Sequence, residues 1–236
     1  MNAKQILRIL PLVMIFVLVM FQWSCKKNSS TDNSTSQITY GTMTDIDGNV
    51  YKTIKIGNQT WMAENLKTTK FRNGAAILNV SDSAQWSTDL MPAYCIFNND
   101  PANTGVYGLL YNGYAAIDGN NIAPAGWHVP ADSEWVTLNT FLGTGAGGKL
   151  KATGTTYWNS PNTGATNETG FNALGGGNRG AYGQFHNQGV YCFWWAATTT
   201  SSTDAYNWVV AYNYNGLYQH SYPMTCGFNI RCVKDN

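Results

Sequence analysis

Three kinds of hydrophobic patterning follow one another along the chain. Ile9 to Phe21 is an apolar run of 13 residues, interrupted only by Pro11 and preceded by Lys4 and Arg8. A bilayer span needs about 20 apolar residues, so this run has the length of a signal-peptide core. Lys26 to Gln37 holds no apolar residue. It cannot bury surface to offset the entropy of ordering, which predicts a flexible tether. From Thr44 onward the pattern is that of a folded domain.

Thr44 to Val50 predicts a hairpin turning at Asp47-Gly48, a pair that accepts positive φ. Val50 to Ile56 alternates as a half-buried strand does, Gly57-Asn58 turns the chain, and Gln59 to Met62 returns it. A helical period appears over Asp132 to Leu142, where Trp135, Leu138 and Leu142 form one stripe with Phe141 beside it. Pro130 precedes this helix, Asp132 or Ser133 can cap it, and Gly143 is placed to end it. A shorter helix is predicted around Ser81 to Trp86. Gly143 to Gly189 is rich in Gly, Asn and Thr and reads as a long loop. Strands follow at Tyr191–Ala196, Ala205–Tyr212 and Leu217–Tyr222, the last two separated by a turn at Asn213–Gly216. Phe228 to Val233 predicts a closing strand with Phe228, Ile230 and Cys232 on one face. No repeat of fixed period is present.

The cysteine after the apolar run changes the picture of the N-terminus. In Gln22-Trp23-Ser24-Cys25, Ser24 is the small residue that a lipoprotein peptidase needs before the cysteine it leaves as the acylated terminus. Gln22 departs from the usual aliphatic residue, and loose sites of this kind resemble those of Bacteroidota lipoproteins. The expected organisation is a signal peptide over residues 1–24, lipidated Cys25 and tether over 25–39, and one domain over 40–236. A cleaved secretory signal and an uncleaved anchor are the alternatives. The protein is expected in the cell envelope, held to the outer membrane by its lipid. Lys26 and Lys27 stand where surface-exported relatives often carry acids, so periplasmic and surface locations both stay open.

Charged residues make up 11% of the chain and aromatic ones 14%, and 14 Lys+Arg nearly cancel 13 Asp+Glu. Without a basic block there is no field to hold a nucleic acid, so no nucleic-acid partner is expected. After Cys25, four cysteines remain: Cys95, Cys192, Cys226 and Cys232. An even number in an exported chain predicts structural disulfides, with three connectivities open. None has the paired spacing of a zinc site.

A series of segments in fixed order carries a resemblance. They are Ala93-Tyr94-Cys95, Asn98-Asn99-Asp100, Tyr107 to Asn112, Pro124 to Pro130, Ser133-Glu134-Trp135, Gly147 to Lys151, Asn162 to Asn167, Gly227-Phe228 and Ile230 to Asp235. In this order they resemble the FISUMP family, the major paralogous domain of Fibrobacter-type bacteria, over about residues 44–235. The resemblance implies an exported or lipid-anchored protein and leaves the biochemical role open. Gly126-Trp127-His128-Val129-Pro130 with Glu134-Trp135, and the closing Phe228 to Val233, also resemble signatures of formylglycine-generating-enzyme-type domains. That wider resemblance implies a C-type-lectin-like fold. With the patterning it gives an α+β class of twisted antiparallel sheets, one clear helix at about 132–142 and long loops. Ala131 departs from the usual Thr or Ser cap, which would move the cap to Asp132.

The candidate chemistry is sparse. Sugar-binding lectins that use calcium carry Glu-Pro-Asn or Gln-Pro-Asp, and neither occurs. Asp45-x-Asp47-x-Asn49 and Asn98-Asn99-Asp100 are oxygen-rich and could hold calcium, but such loops are more often turn formers. No other cofactor is implied. An oxidase of the formylglycine-generating type needs two reactive cysteines before the closing Arg-Cys, and only Cys226 precedes Arg231-Cys232. No hydrolase, zinc-protease or phosphate-loop motif occurs, and no acid pair is marked out for glycosidic cleavage. Aromatic residues crowd the last strands. Trp194, Trp195 and Trp208 are expected inside. Tyr212, Tyr214 and Tyr218, with Asn213 and Asn215, are expected as an exposed ligand-binding set around the turn. The expectation is a noncatalytic binding module for a glycan or a cell-surface protein. A structural envelope protein is the competing class and an oxidase a remote one.

Overall fold

The alternation over Val50–Ile56 is realised as a strand whose Tyr51, Thr53, Ile54 and Ile56 are buried and whose Val50, Lys52 and Lys55 are exposed. In the computed structural model, which describes residues 37–236, it is β2. It pairs antiparallel with β1 (Gly41–Thr44), Thr44 facing Val50, and with β3 (Gln59–Met62), Ile56 facing Gln59. Asp45 closes the first turn. Its carboxylate accepts the N–H groups of Asp47 at 3.0 Å and Asn49 at 2.9 Å and the Tyr51 hydroxyl at 2.6 Å. The leader, Cys25 and most of the tether lie outside the described residues.

The chain continues through β4 (Leu78–Asn79), α1 (Ser83–Thr88), β5 (Ala93–Cys95), α2 (Ala102–Tyr107), β6 (Leu110–Asn112) and α3 (Gly113–Ala116). Then come β7 (Trp127–His128), α4 (Asp132–Leu142), α5 (Ala146–Leu150), β8 (Gly176–Arg179) and β9 (Phe185–Gln188). The last strands are β10 (Tyr191–Thr199), β11 (Asp204–Ala211), β12 (Tyr218–Pro223), β13 (Gly227–Phe228) and β14 (Val233–Lys234). A five-stranded sheet has the order β1-β2-β3-β14-β7. A nine-stranded sheet has the order β12-β11-β10-β8-β13-β6-β5-β4, with β9 on β8. The class is α+β, as expected, but the larger sheet is mixed: β8–β10 and β4–β5 run parallel.

Helix α4 has the bounds its sequence predicts, and its stripe of Trp135, Leu138 and Leu142 is buried. Trp135 is the hub of an aromatic core, with ring centroids 4.6 Å from Trp61, 5.6 Å from Trp194 and 6.2 Å from Trp208. Burying each such ring stabilises the fold by about 2–3 kcal/mol. The cap differs from expectation. Ala131 is the N-cap residue, and Glu134 compensates by accepting the Ala131 N–H at 2.8 Å, half of a capping box. Asp132 turns away and accepts the indole N–H of Trp208 at 2.9 Å and the Gln219 amide at 2.7 Å.

Two further expectations are corrected. The stretch from Gly143 to Gly189 contains α5, β8 and β9 in addition to loops. Helix α5 is built on glycine because backbone passes over it: a Cβ on Gly147 would lie 2.0 Å from the Gly216 carbonyl oxygen, and one on Gly148 2.2 Å from that of Gly164. Those glycines erase the hydrophobic period that would reveal a helix. The closing strand is divided, since β13 belongs to the larger sheet and β14 to the smaller. Phe228, Ile230 and Cys232 still share one core cluster. Alternation records which side is buried and carries no information about the strand's partner.

Candidate binding site

The register of the last three strands places Phe193 opposite Val209 and Val209 opposite Tyr218, and likewise Trp195, Asn207 and His220 in one row. One face turns Trp194, Trp208 and Val210 into the aromatic core. Trp195 is buried on the other face, so all three tryptophans lie inside as expected. Toward the Tyr191 end, that other face opens to solvent. There Tyr191, Val209, Ala211, Tyr214, Tyr218 and His220 line a depression of about 210 Å³. Tyr214 is 55% exposed and Tyr218 48%. Their rings stand perpendicular, at 86°, with centroids 6.5 Å apart. Tyr218 lies against the backbone of Gly216, where a Cβ would come within 2.5 Å of its ring.

Of the five residues expected at this site, the structure brings Tyr214 and Tyr218 together. Tyr212 packs half-buried against the aromatic core, away from the depression. Asn213 and Asn215 are exposed on the turn but do not line the depression. The Asn215 carbonyl accepts the Gly148 N–H at 2.9 Å, which gives it a role in holding the turn. Tyr191, Val209 and His220 reach the site through strand pairing, which residue spacing alone does not reveal.

Lys151 fixes the turn from below. It is fully buried, and its ammonium donates to the carbonyls of Ala211 at 2.7 Å, Tyr214 at 2.8 Å and Thr163 at 3.0 Å. All three of its protons are thereby used. Burial pulls its pKa down to about 8, so it remains mostly cationic at neutral pH. The end of β11, the Tyr214 turn and the Thr163 loop are tied to one atom.

Other charged groups are similarly committed to structure. Arg231 and Arg179 are buried, and both bond mainly to backbone carbonyls. His128 bridges Asp235, at 2.6 Å from Nδ1, and Glu134, at 2.9 Å from Nε2. Burial pulls its pKa down, but the two carboxylates outweigh that and hold it above the ordinary histidine value. The Asp45 carboxylate closes its turn, and Asp47 bonds Thr68, Thr69 and Lys70. Among the described residues no group of three His, Cys, Asp or Glu side chains is placed to hold a metal ion.

The disulfide expectation is corrected. Cys95, Cys192, Cys226 and Cys232 are all free and buried. Cys95 lies in one core cluster, Cys192 in a second, and Cys226 and Cys232 in a third. Burial raises the pKa of Cys95 and Cys192 to about 12 and of Cys226 to about 11. Such thiols are protonated and inaccessible at neutral pH. Maleimide labelling without reductant, mapped by peptide mass, should leave all four unmodified in the native protein and modify all four after unfolding. Any that stay unlabelled after unfolding would reveal a disulfide. The same groups make the fold labile to base. Unfolded thiols ionise near 9.0 and the folded ones only at higher pH. Their contribution is therefore complete below about pH 9 and is lost as pH rises toward the folded values.

Fold and site together define an α+β domain of two sheets that presents a rigid tyrosine corner at one edge. The chain belongs to the Fibrobacter succinogenes major domain family, whose model matches residues 54–234. No curated protein and no solved structure matches it.

Proposed function

We propose that this protein is an exported, lipid-anchored binding module that holds a neutral glycan chain at the Tyr214–Tyr218 corner without transforming it. The observation that carries the reading is the exposed, perpendicular tyrosine pair clamped from beneath by Lys151. A tyrosine face stacks on the C–H side of a sugar ring, and phenol and imidazole groups bond its hydroxyls. Among the described residues no acidic, Lys or Arg side chain lines the depression, which favours an uncharged ligand. The residues are held before any ligand arrives, which lowers the entropic cost of binding. The apolar leader, Ser24-Cys25 and the polar tether support export and lipid anchoring, and the Trp127 and closing Arg231-Cys232 motifs support kinship with the C-type-lectin-like fold.

The test is the double variant Tyr214→Ala/Tyr218→Ala on a panel of neutral polysaccharides. Both side chains are half-exposed, so the melting temperature should stay close to that of the parent. Retention should fall by at least about tenfold, as expected for loss of a stacking contact and its hydrogen bonds. Unchanged retention would exclude the corner as a glycan site and favour a structural role in the envelope.

A further inference from the structure

A second concave site lies outside the tyrosine corner. It has a volume of about 290 Å³, near the lower end of small-molecule pockets at about 300 Å³, and is lined by Tyr107, Thr155, Thr156, Tyr157, Asn159 and Gln188 among others. Its lining is aromatic and polar and includes no charged side chain. The rings of Tyr107 and Tyr157 stand at 89° with centroids 6.2 Å apart. Among the described residues, the hydroxyls of Thr155 and Thr156 and the amide of Asn159 have no hydrogen-bond partner, and all three residues are exposed.

The walls are held in place from behind. The Tyr107 carbonyl accepts amide N–H groups from Asn65 at 2.9 Å and Asn229 at 3.0 Å. Backbone packs tightly under the loop: a Cβ on Gly175 would meet the Tyr157 carbonyl at 2.6 Å, and one on Gly189 would meet Asn159 Oδ1 at 2.7 Å. The Asn159 N–H donates to the Gly189 carbonyl at 2.8 Å. Next to Tyr157, Trp158 is buried and donates its indole N–H to the Ala173 carbonyl at 3.0 Å. Free hydroxyl and amide groups beside two fixed aromatic rings are the complement of a neutral, polyhydroxylated ring. A charged ligand would find no counter-charge here, and a purely apolar one would desolvate three polar side chains without replacing their bonds.

We propose that this pocket is a second carbohydrate site, so that one chain carries two separate binding positions for neutral glycan. The ligand class is the one proposed for the corner, but the residues are different, and variants separate the two claims. The full-length chain, solubilised in detergent, is titrated calorimetrically with cellohexaose, xylohexaose and mannohexaose. Four forms are compared: the parent, Tyr214→Ala/Tyr218→Ala, Tyr157→Ala/Asn159→Ala and the combined quadruple variant. For the hexasaccharide that binds, each double variant should lower the stoichiometry from two to one, and the quadruple variant should not bind. Should Tyr157→Ala/Asn159→Ala lower the melting temperature, Thr155→Ala/Thr156→Ala replaces it, because those exposed hydroxyls support nothing else. Parent stoichiometry retained in the loop variants, or complete loss of binding in the corner variant alone, overturns the second site. Binding lost with the loop variant and kept with the corner variant sinks the corner and sustains this pocket. A parent that binds none of the three sugars overturns both.

Discussion

Replacing Arg231 by alanine should unfold the domain or bring it close to unfolding. The side chain is 1% exposed and forms no salt bridge with a carboxylate among the described residues. Its Nε donates to Asn65 Oδ1 at 2.8 Å, its Nη2 donates to the Asn172 carbonyl at 3.2 Å, and Nη1 donates to the Phe171 carbonyl. The guanidinium lies 4.2 Å above the Phe171 ring and 5.5 Å from the Trp194 ring. Burial lowers its pKa to about 10, so the charge persists at neutral pH and is balanced by carbonyl dipoles and ring faces. Alanine would leave buried carbonyls unpaired at about 1–3 kcal/mol each. It would also open a cavity at the crossing between the two sheets, at about 2–5 kcal/mol for a large side chain. The expected loss is about 5 kcal/mol, comparable with the whole stability of many domains. Arg231→Lys should recover little, because a point charge cannot reproduce a planar fork of donors. Urea unfolding followed by circular dichroism measures both. A loss under about 1 kcal/mol for the alanine variant would contradict this account.

Lys151→Met is the second large effect, and it links stability to binding. Methionine keeps the apolar stem beside Trp158, over whose ring the ammonium sits at 5.6 Å, and removes every donor. The carbonyls of Thr163, Ala211 and Tyr214 then lose their shared partner. The expected cost is about 3 kcal/mol, moderated because water can reach part of the turn. The larger consequence is local. The end of β11 and the Tyr214 turn should separate and Tyr214 leave its perpendicular setting against Tyr218, so that affinity for the glycan proposed for this corner falls by about tenfold or more. Amide hydrogen exchange should accelerate at residues 212–216 and stay slow in the aromatic core around Trp135. Uniform acceleration throughout, or an unchanged turn, would remove Lys151 from its role as the clamp.

How much of this the sequence discloses depends on the range of the interaction. Helix α4, the first hairpin and the strands β10 to β12 follow from period and turn residues, because their causes lie within a few positions. Helix α5 does not, since Gly147 and Gly148 are dictated by backbone from Gly164 and Gly216 passing close by. The buried cations are equally silent. Lys151 binds carbonyls 12, 60 and 63 positions away, and Arg231 finds Asn65 at a separation of 166. In sequence nothing beside either residue reveals those distant partners. The corner is legible in part. A turn at Asn215-Gly216 flanked by tyrosines announces itself, whereas Tyr191 and His220 arrive through strand register. The cysteines mislead for a related reason: an even count describes arithmetic, and only the tertiary arrangement shows that they occupy three clusters.

In an oxidising compartment those thiols would set a race during folding. Cys226 and Cys232 are the closest pair along the chain, and in an oxidising compartment a short loop closes into a bridge sooner than a long one. In the folded protein both are free and buried. The two residues flank the passage from β13 to β14, where the chain leaves one sheet for the other and carries Arg231 across. A cross-link there would constrain the segment that carries Arg231 from one sheet to the other. In such a compartment, productive folding would depend on burying Cys226 and Cys232 before an oxidant or a neighbouring thiol reaches them.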